Sequence, residues 1–285
     1  MTMLRHPSSD HSIRLRRIEP WVSRVQGCFQ AGRAQAVAAL RRAEVVASDE
    51  TGVRIEGNTG YHWVFCGAAA VVHHAASTRA AAVVHAMTAG HKPAVWLSDR
   101  HAAQQGHGLV QQTCLAHLAR DVACALEASD DQLPFRLKLW LASAFALADS
   151  VAHLAASTVA ATPRALERRL GAVLAAPTTC DLAAALQAKL RRARDQLLTF
   201  ADWPGQVAAT NNGCERHLRP AVIQRKVTNG YRATWAAEGG AAEGSARGSA
   251  WKGSGGEADI RTVVDTARLK PGTSVFSTIL QAITA

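Results

Sequence analysis

The stretch AEVVASDETGVR, Ala43–Arg54, decides the fold. Its apolar run Val45-Val46-Ala47 delivers Ser48, Asp49 and Glu50, and Gly52 then permits a turn, which is the pattern of a short buried strand with a carboxylate at its C-terminal tip. The pattern returns in AVWLSDR, Ala94–Arg100, where Val95-Trp96-Leu97 precede Ser98 and Asp99. One strand-end aspartate most simply opens a loop or caps the next helix. A pair shifts that reading only modestly, and a third carboxylate further along decides it.

Between the two stretches, Tyr61–Cys66 and Ala69–His74 read as an antiparallel meander, with Gly57-Asn58 as the turn after the first strand. Thr78 is placed to cap a helix from Arg79 to Ala89, Gly90 to end it, and Pro93 to lead into the strand that stops at Asp99. The order strand, strand, strand, helix, strand implies a mixed sheet. Its first and fourth strands present their aspartates at the same end if they are parallel neighbours. His73 and His74 on the third strand read as packed or surface residues rather than ligands.

Gln111–Arg120 reads as a strand running into a helix, and it contains the pair Cys114-x-x-His117. Structural zinc takes four ligands and no second pair follows, so a buried thiol at a helix start, with His117 one turn on, is the simpler reading. From Asp130 to Trp203 the pattern is helical: Leu133–His153, Pro163–Ala175 and Leu182–Phe200, with Leu182, Leu186, Leu190 and Leu197 on one stripe. Then comes TNNGCERHLRPAVIQRK from Thr210, where Asn212 is a good N-cap and Glu215 falls inside the new helix. Glu215 alone would be a capping-box residue or a partner for Arg219. It opens, however, onto Arg216, Arg219, Arg225, Lys226 and Arg232, a tract without an acidic residue. Residues 239–256, GGAAEGSARGSAWKGSGG, have the composition of a flexible linker, with helix expected again at Asp259–Leu269 and Phe276–Ile283.

The 285 residues are 48% hydrophobic, enough for a sizeable core. The 32 Lys and Arg against 22 Asp and Glu give a net charge of +10, which favours a polyanionic partner. There is no apolar run of the ~20 residues that span a bilayer, no secretory signal, and no regular spacing among the six cysteines. A cytoplasmic protein with reduced thiols is expected. Two strand-end aspartates and a helical glutamate suit hard divalent cations bound through oxygen, with Mg²⁺ the first candidate. Two such ions serve in-line attack on a phosphodiester. The chain thus reads as an α/β, ribonuclease H-like mixed sheet with an all-helical insertion before the glutamate. It divides into a basic arm (1–42), a first core part (43–130), the insertion (131–204) and a second core part (205–285).

Several stretches in this order, ASDETGVRIEG, YHWVF, AVWLSDR, QTCLAHLARD, DQLLTFADWPG and TNNGCERHLRPAVIQRKVTNGYRATWAAEG, resemble the DDE transposases of the insertion-sequence 66 family. The resemblance runs from Glu44 to Glu238 and resumes from Glu257 to Ile283. It implies a triad of Asp49, Asp99 and Glu215 holding two Mg²⁺ ions, with Mn²⁺ as a substitute. It also implies cutting at transposon ends and joining of the freed 3′ hydroxyls to target DNA. Arg216, Arg219, Arg225, Lys226 and Arg232 are the expected DNA contacts. Cys114 and His117 resemble a CxxH motif of several DDE groups, with a structural or DNA-positioning role. Partners would be DNA, further copies of the chain assembled on it, and accessory proteins of the same element, in a bacterial, nucleoid-associated setting. The family usually carries a longer, cysteine-rich N-terminal region, and residues 239–256 look like an insertion. A truncated DNA-binding remnant is therefore one alternative, and a ribonuclease H-like structure-directed nuclease is another.

Overall fold

The computed structural model describes residues 29–254, and the helices expected at 259–269 and 276–283 lie outside them. Helix α1 covers 29–40. Strand β1 (Val45–Ile55) follows, then β2 (Asn58–Cys66) and β3 (Val71–Ala76) as an antiparallel meander. The β1–β2 turn falls at Glu56-Gly57, whose φ angles of 53° and 79° give the two-residue primed turn that matches strand twist. Helix α2 (Ala81–Thr88) carries the chain over the sheet to β4 (Val95–Ser98), and a one-turn 3₁₀ segment (Ala102–Gln104) precedes β5 (Val110–Thr113). The sheet order is β3-β2-β1-β4-β5, with β4 parallel to both β1 and β5. The expected parallel neighbours are therefore found.

Alternation along β1 assigns its two faces. Val46 joins Trp63, Phe65, Val72 and Trp96 under α1 and α2, whereas Val45 and Ala47 face the later helices. Beyond β5, helices α3 (Leu115–Ala128), α4 (Gln132–Ser150), α5 (Ala156–Ala175), α6 (Asp181–Ala193) and the short α7 (Thr199–Asp202) share one apolar cluster centred on Leu137, Trp140, Leu170, Leu190 and Leu197. Leu182, placed on that stripe by spacing, is instead exposed. Pro163 does not start α5 but lies inside it. Its ring forgoes one backbone hydrogen bond, while Leu166, Leu170 and Leu174 beyond it are buried.

Helix α8 (Asn212–Thr228) then crosses β1 and β2, and α9 (Thr234–Ser254) packs along β3. At the junction, Tyr231 bridges Ile55, and Gly230 at φ 107° lies where a Cβ would collide with the Arg54 carbonyl. Helix α9 overturns the flexible linker expected at 239–256, whose described part to 254 is helical. Each helical glycine costs about 0.5–1 kcal/mol relative to alanine, so contact rather than propensity must hold α9. The small residues supply that contact. Ser245 Oγ accepts the His73 N–H at 2.8 Å and Ser249 Oγ accepts the Val71 N–H at 3.0 Å, closing the open edge of β3. A Cβ at Gly248 would meet Val71 at 2.8 Å, so glycine lets the helix approach the strand. Beneath it, His73 is buried against His62, their ring nitrogens 2.8 Å apart, and burial drives both imidazoles to the neutral form. His73 is thus a packed residue, as expected.

Candidate active site

Asp49 was expected at a strand tip, but it lies mid-strand, opposite Val64 of β2. Gly52 does not turn; it stays in the ladder opposite Tyr61, and the hairpin carries β1 on to Ile55. On the other side the description holds. The parallel ladder to β4 runs Val45–Val95, Val46–Trp96, Ala47–Leu97, and β4 ends at Ser98, so Asp49 and Asp99 leave its C-terminal end in register.

Helix α8 brings the third carboxylate to this end. Its N-cap is Asn211, not Asn212, and the Asn211 side chain does not cap the helix. Buried Asn211 instead donates from Nδ2 to the Ser48 carbonyl at 2.9 Å and from its backbone N–H to Cys114 Sγ at 3.1 Å. It thereby ties the start of α8 to β1 and α3. Glu215 follows in the first turn, where the helix dipole favours a carboxylate. No capping box forms. Glu215 Oε1 faces Arg120 Nη2 at 3.5 Å and His117 Nδ1 at 3.7 Å.

Asp49, Glu215, His117, Arg120, Arg216 and Arg219 share the walls of a cavity of about 900 Å³. Asp99 is not among its lining residues, and the three carboxylates do not draw into one tight cluster among the described residues. The tight cluster there is Cys114, His117 and Glu215, whose ligating atoms lie within 4.8 Å of one another. Arg225 is engaged elsewhere, donating to Thr51 Oγ1 at 2.6 Å and to the Gly52 carbonyl, whereas Lys226 and Arg232 are exposed.

The neighbouring carboxylates have different surroundings. Glu50 points to the opposite face of β1, where Arg79 Nε meets it at 2.5 Å and Gln104 donates to it. Arg79 also reaches toward Asp99, 4.0 Å away, and Asp99 Oδ1 accepts the His101 N–H at 2.9 Å. Among the described residues Asp49 accepts only the Glu50 N–H, at 2.9 Å. Burial, then the charge of Glu50, with smaller contributions from Asp99 and Glu215, push its carboxyl up to about 7. Glu50, Asp99 and Glu215 each face an arginine, whereas Asp49 has no ion-pair partner among the described residues, and its oxygens suit a hard cation. Cys114 forms the N-cap of α3, and burial raises its thiol above the ordinary value, so the free group is protonated.

The Transposase IS66 family model matches residues 4–239. The chain belongs to the IS66 transposase family. The match takes in nearly all of the basic arm at 1–42, which motif resemblance had left out, and it stops at the start of the glycine-rich part of α9. No curated protein and no solved structure matches the chain. Membership implies a DNA-processing transposase and a DNA partner. Among the described residues no helix is long and apolar enough to cross a membrane.

Arg79, Gln104, Asn211 and Arg120 were not singled out from sequence. Strand alternation places Glu50 on the face opposite Asp49 and so calls for a buried cation, but nothing local identifies Arg79 as that cation.

Proposed function

We propose that this transposase is a DDE enzyme with a ribonuclease H-like core, which cuts DNA at transposon ends and transfers the freed 3′ hydroxyls into target DNA. The observation that carries the reading is the placement of Asp49 and Asp99 level on adjacent parallel strands, with a helix that brings Glu215 into one cavity with Asp49. The raised Asp49 carboxyl supports it, because burial and the neighbouring Glu50 disfavour its ionised form, and a divalent cation would stabilise that form.

Asp49, Asp99 and Glu215 would hold Mg²⁺, with Mn²⁺ as a substitute. The ions supply activation of a water or hydroxyl for in-line attack and stabilisation of the departing oxygen. Arg79 fixes Glu50 and the approach to Asp99, leaving Asp49 free to turn toward the cavity. Asn211 sets the position of Glu215 relative to β1. Arg216 and Arg219, exposed on the cavity wall, are placed to take backbone phosphates, with Lys226 and Arg232 further along the same tract. Arg225 orients α8 on β1 first and reaches DNA only secondarily. Further copies of the chain on the DNA, and accessory proteins of the element, belong to the same reading.

The test is Mg²⁺-dependent cleavage and strand transfer on DNA carrying the element's ends, run beside Asp49→Ala. Joined product that disappears in the variant supports the proposal. Cleavage without joining in the wild type would identify a nuclease, and metal-independent binding without cleavage would identify a binding remnant.

A further inference from the structure

The Cys114–His117–Glu215 cluster combines a thiol, an imidazole and a carboxylate within 4.8 Å, although Glu215 is far from the other two in sequence. The residues are also held there. Cys114 starts α3 and accepts the Asn211 N–H, His117 lies one turn along α3, and Glu215 lies one turn along α8, which Asn211 begins. One asparagine thus fixes both helix starts that carry the three groups. Among the described residues His117 Nδ1 has no hydrogen-bond partner and is shielded from solvent, and its 3.7 Å separation from Glu215 Oε1 is too long for a hydrogen bond. Around a tetrahedral ion with Zn–N and Zn–O lengths near 2.0–2.2 Å, nitrogen and oxygen ligands stand about 3.3–3.6 Å apart. The observed separation is close to that edge.

We propose that Cys114, His117 and Glu215 form a second metal site that takes Zn²⁺, or Co²⁺ as a probe, with water as the fourth ligand. Sequence spacing had argued against zinc because no second ligand pair follows Cys114 and His117. The missing protein ligand is Glu215. The ligand set is softer than the all-oxygen set of Asp49 and Asp99, so the two sites differ in preference: thiolate and imidazole select zinc-like ions, whereas Mg²⁺ avoids sulfur. Binding converts the Cys114 thiol to a thiolate and releases one proton to solvent. Zinc held here occupies Glu215, and this consequence rests on the DDE reading: zinc at the second site would withdraw the glutamate from the catalytic ions and inhibit the enzyme. The site itself does not depend on that reading.

Cobalt(II) titration of the full-length, reduced, metal-free chain tests the proposal without reference to activity. A near-ultraviolet thiolate-to-cobalt band should saturate at one equivalent, be displaced by zinc, and be absent in Cys114→Ser. His117→Ala, where the thiol remains, should bind cobalt about tenfold or more weakly. A wild type without the band, a band that survives Cys114→Ser, or undiminished affinity in His117→Ala would each overturn the site. Circular dichroism of each variant shows whether it is folded, and His117→Ala keeps the test decisive if Cys114→Ser is not. If the cobalt band appears as described while zinc leaves Mg²⁺-dependent cleavage untouched, the metal site stands and the catalytic assignment of Glu215 fails.

Discussion

Two aspartates, Asp131 in the helical block and Asp49 in the sheet, show how differently the two halves of the molecule treat a carboxylate. Asp131 caps α4 by accepting the Leu133 N–H at 2.7 Å, and it also takes the Thr179 N–H and hydroxyl. Those bonds, the Thr179 N–H first, hold its carboxyl below the usual range. Asp49 has a single backbone donor and three carboxylates nearby, and its carboxyl is pushed up to about 7. The block closes its polar groups and supplies stability. The sheet end leaves Asp49 largely buried without an ion-pair partner among the described residues, a destabilising arrangement that a protein keeps where the group has chemistry to perform.

The sharpest break of this contrast is in activity. Asp49→Asn should lower Mg²⁺-dependent strand transfer by about 10³-fold or more, measured on end-bearing DNA with the variant confirmed folded. Near-normal turnover would remove Asp49 from the chemistry and leave its unpaired burial unexplained. In the block the largest effect should be on stability. Leu137 is fully buried in the apolar cluster, and Leu137→Ala should cost about 2–5 kcal/mol in urea unfolding. Strand transfer well below the unfolding midpoint should persist. If the two variants affected activity alike, the division between a stabilising block and a reactive sheet end would not hold.

Sequence made the strand-end logic legible because it depends on local patterns. An apolar run before Ser-Asp marks both β1 and β4, and the meander between them leaves parallel pairing as the natural arrangement. What stayed hidden depends on contacts between distant segments. Gly52 looks like a turn until β2 is seen to pair past it, and Asn211 reads as an ordinary residue before Asn212 until Ser48 and Cys114 lie beside it. Helix α9 is the clearest case. Gly244, Ser245, Gly248 and Ser249 read as linker because their value lies in small size against β3, and composition does not encode the strand that needs covering. Ser245→Ala should therefore cost about 1–3 kcal/mol by leaving the His73 N–H without its acceptor. Faster hydrogen exchange at the β3 edge would report it, and an unchanged exchange rate would mean that packing alone holds the helix.

The smallest effect, and the one that isolates the contrast, is in the pH dependence of stability. Asp49 has a folded value near 7 against an ordinary 3.8, so the folded state binds the proton more tightly than the unfolded chain. Its contribution is then present at low pH and is lost as pH rises from about 4 to about 7. Asp49→Asn removes that loss, and its melting temperature should exceed that of the wild type at pH 8 and approach it near pH 4. Mg²⁺ should raise the wild-type melting temperature at pH 8 and do less for the variant, because a cation offsets the same charge. Asp131 has the opposite sign. Its carboxyl is depressed in the fold, so its stabilisation is present above the ordinary carboxylate value and is lost as pH falls below it. Asp131→Ala should therefore melt below the wild type at neutral pH, with the gap narrowing in acid. Melting curves of the three proteins from pH 3.5 to 8, with and without Mg²⁺, distinguish the two environments directly. Parallel curves would show that the two aspartates are equivalent and that the negative charge at the sheet end is already balanced by Arg79 and Arg120.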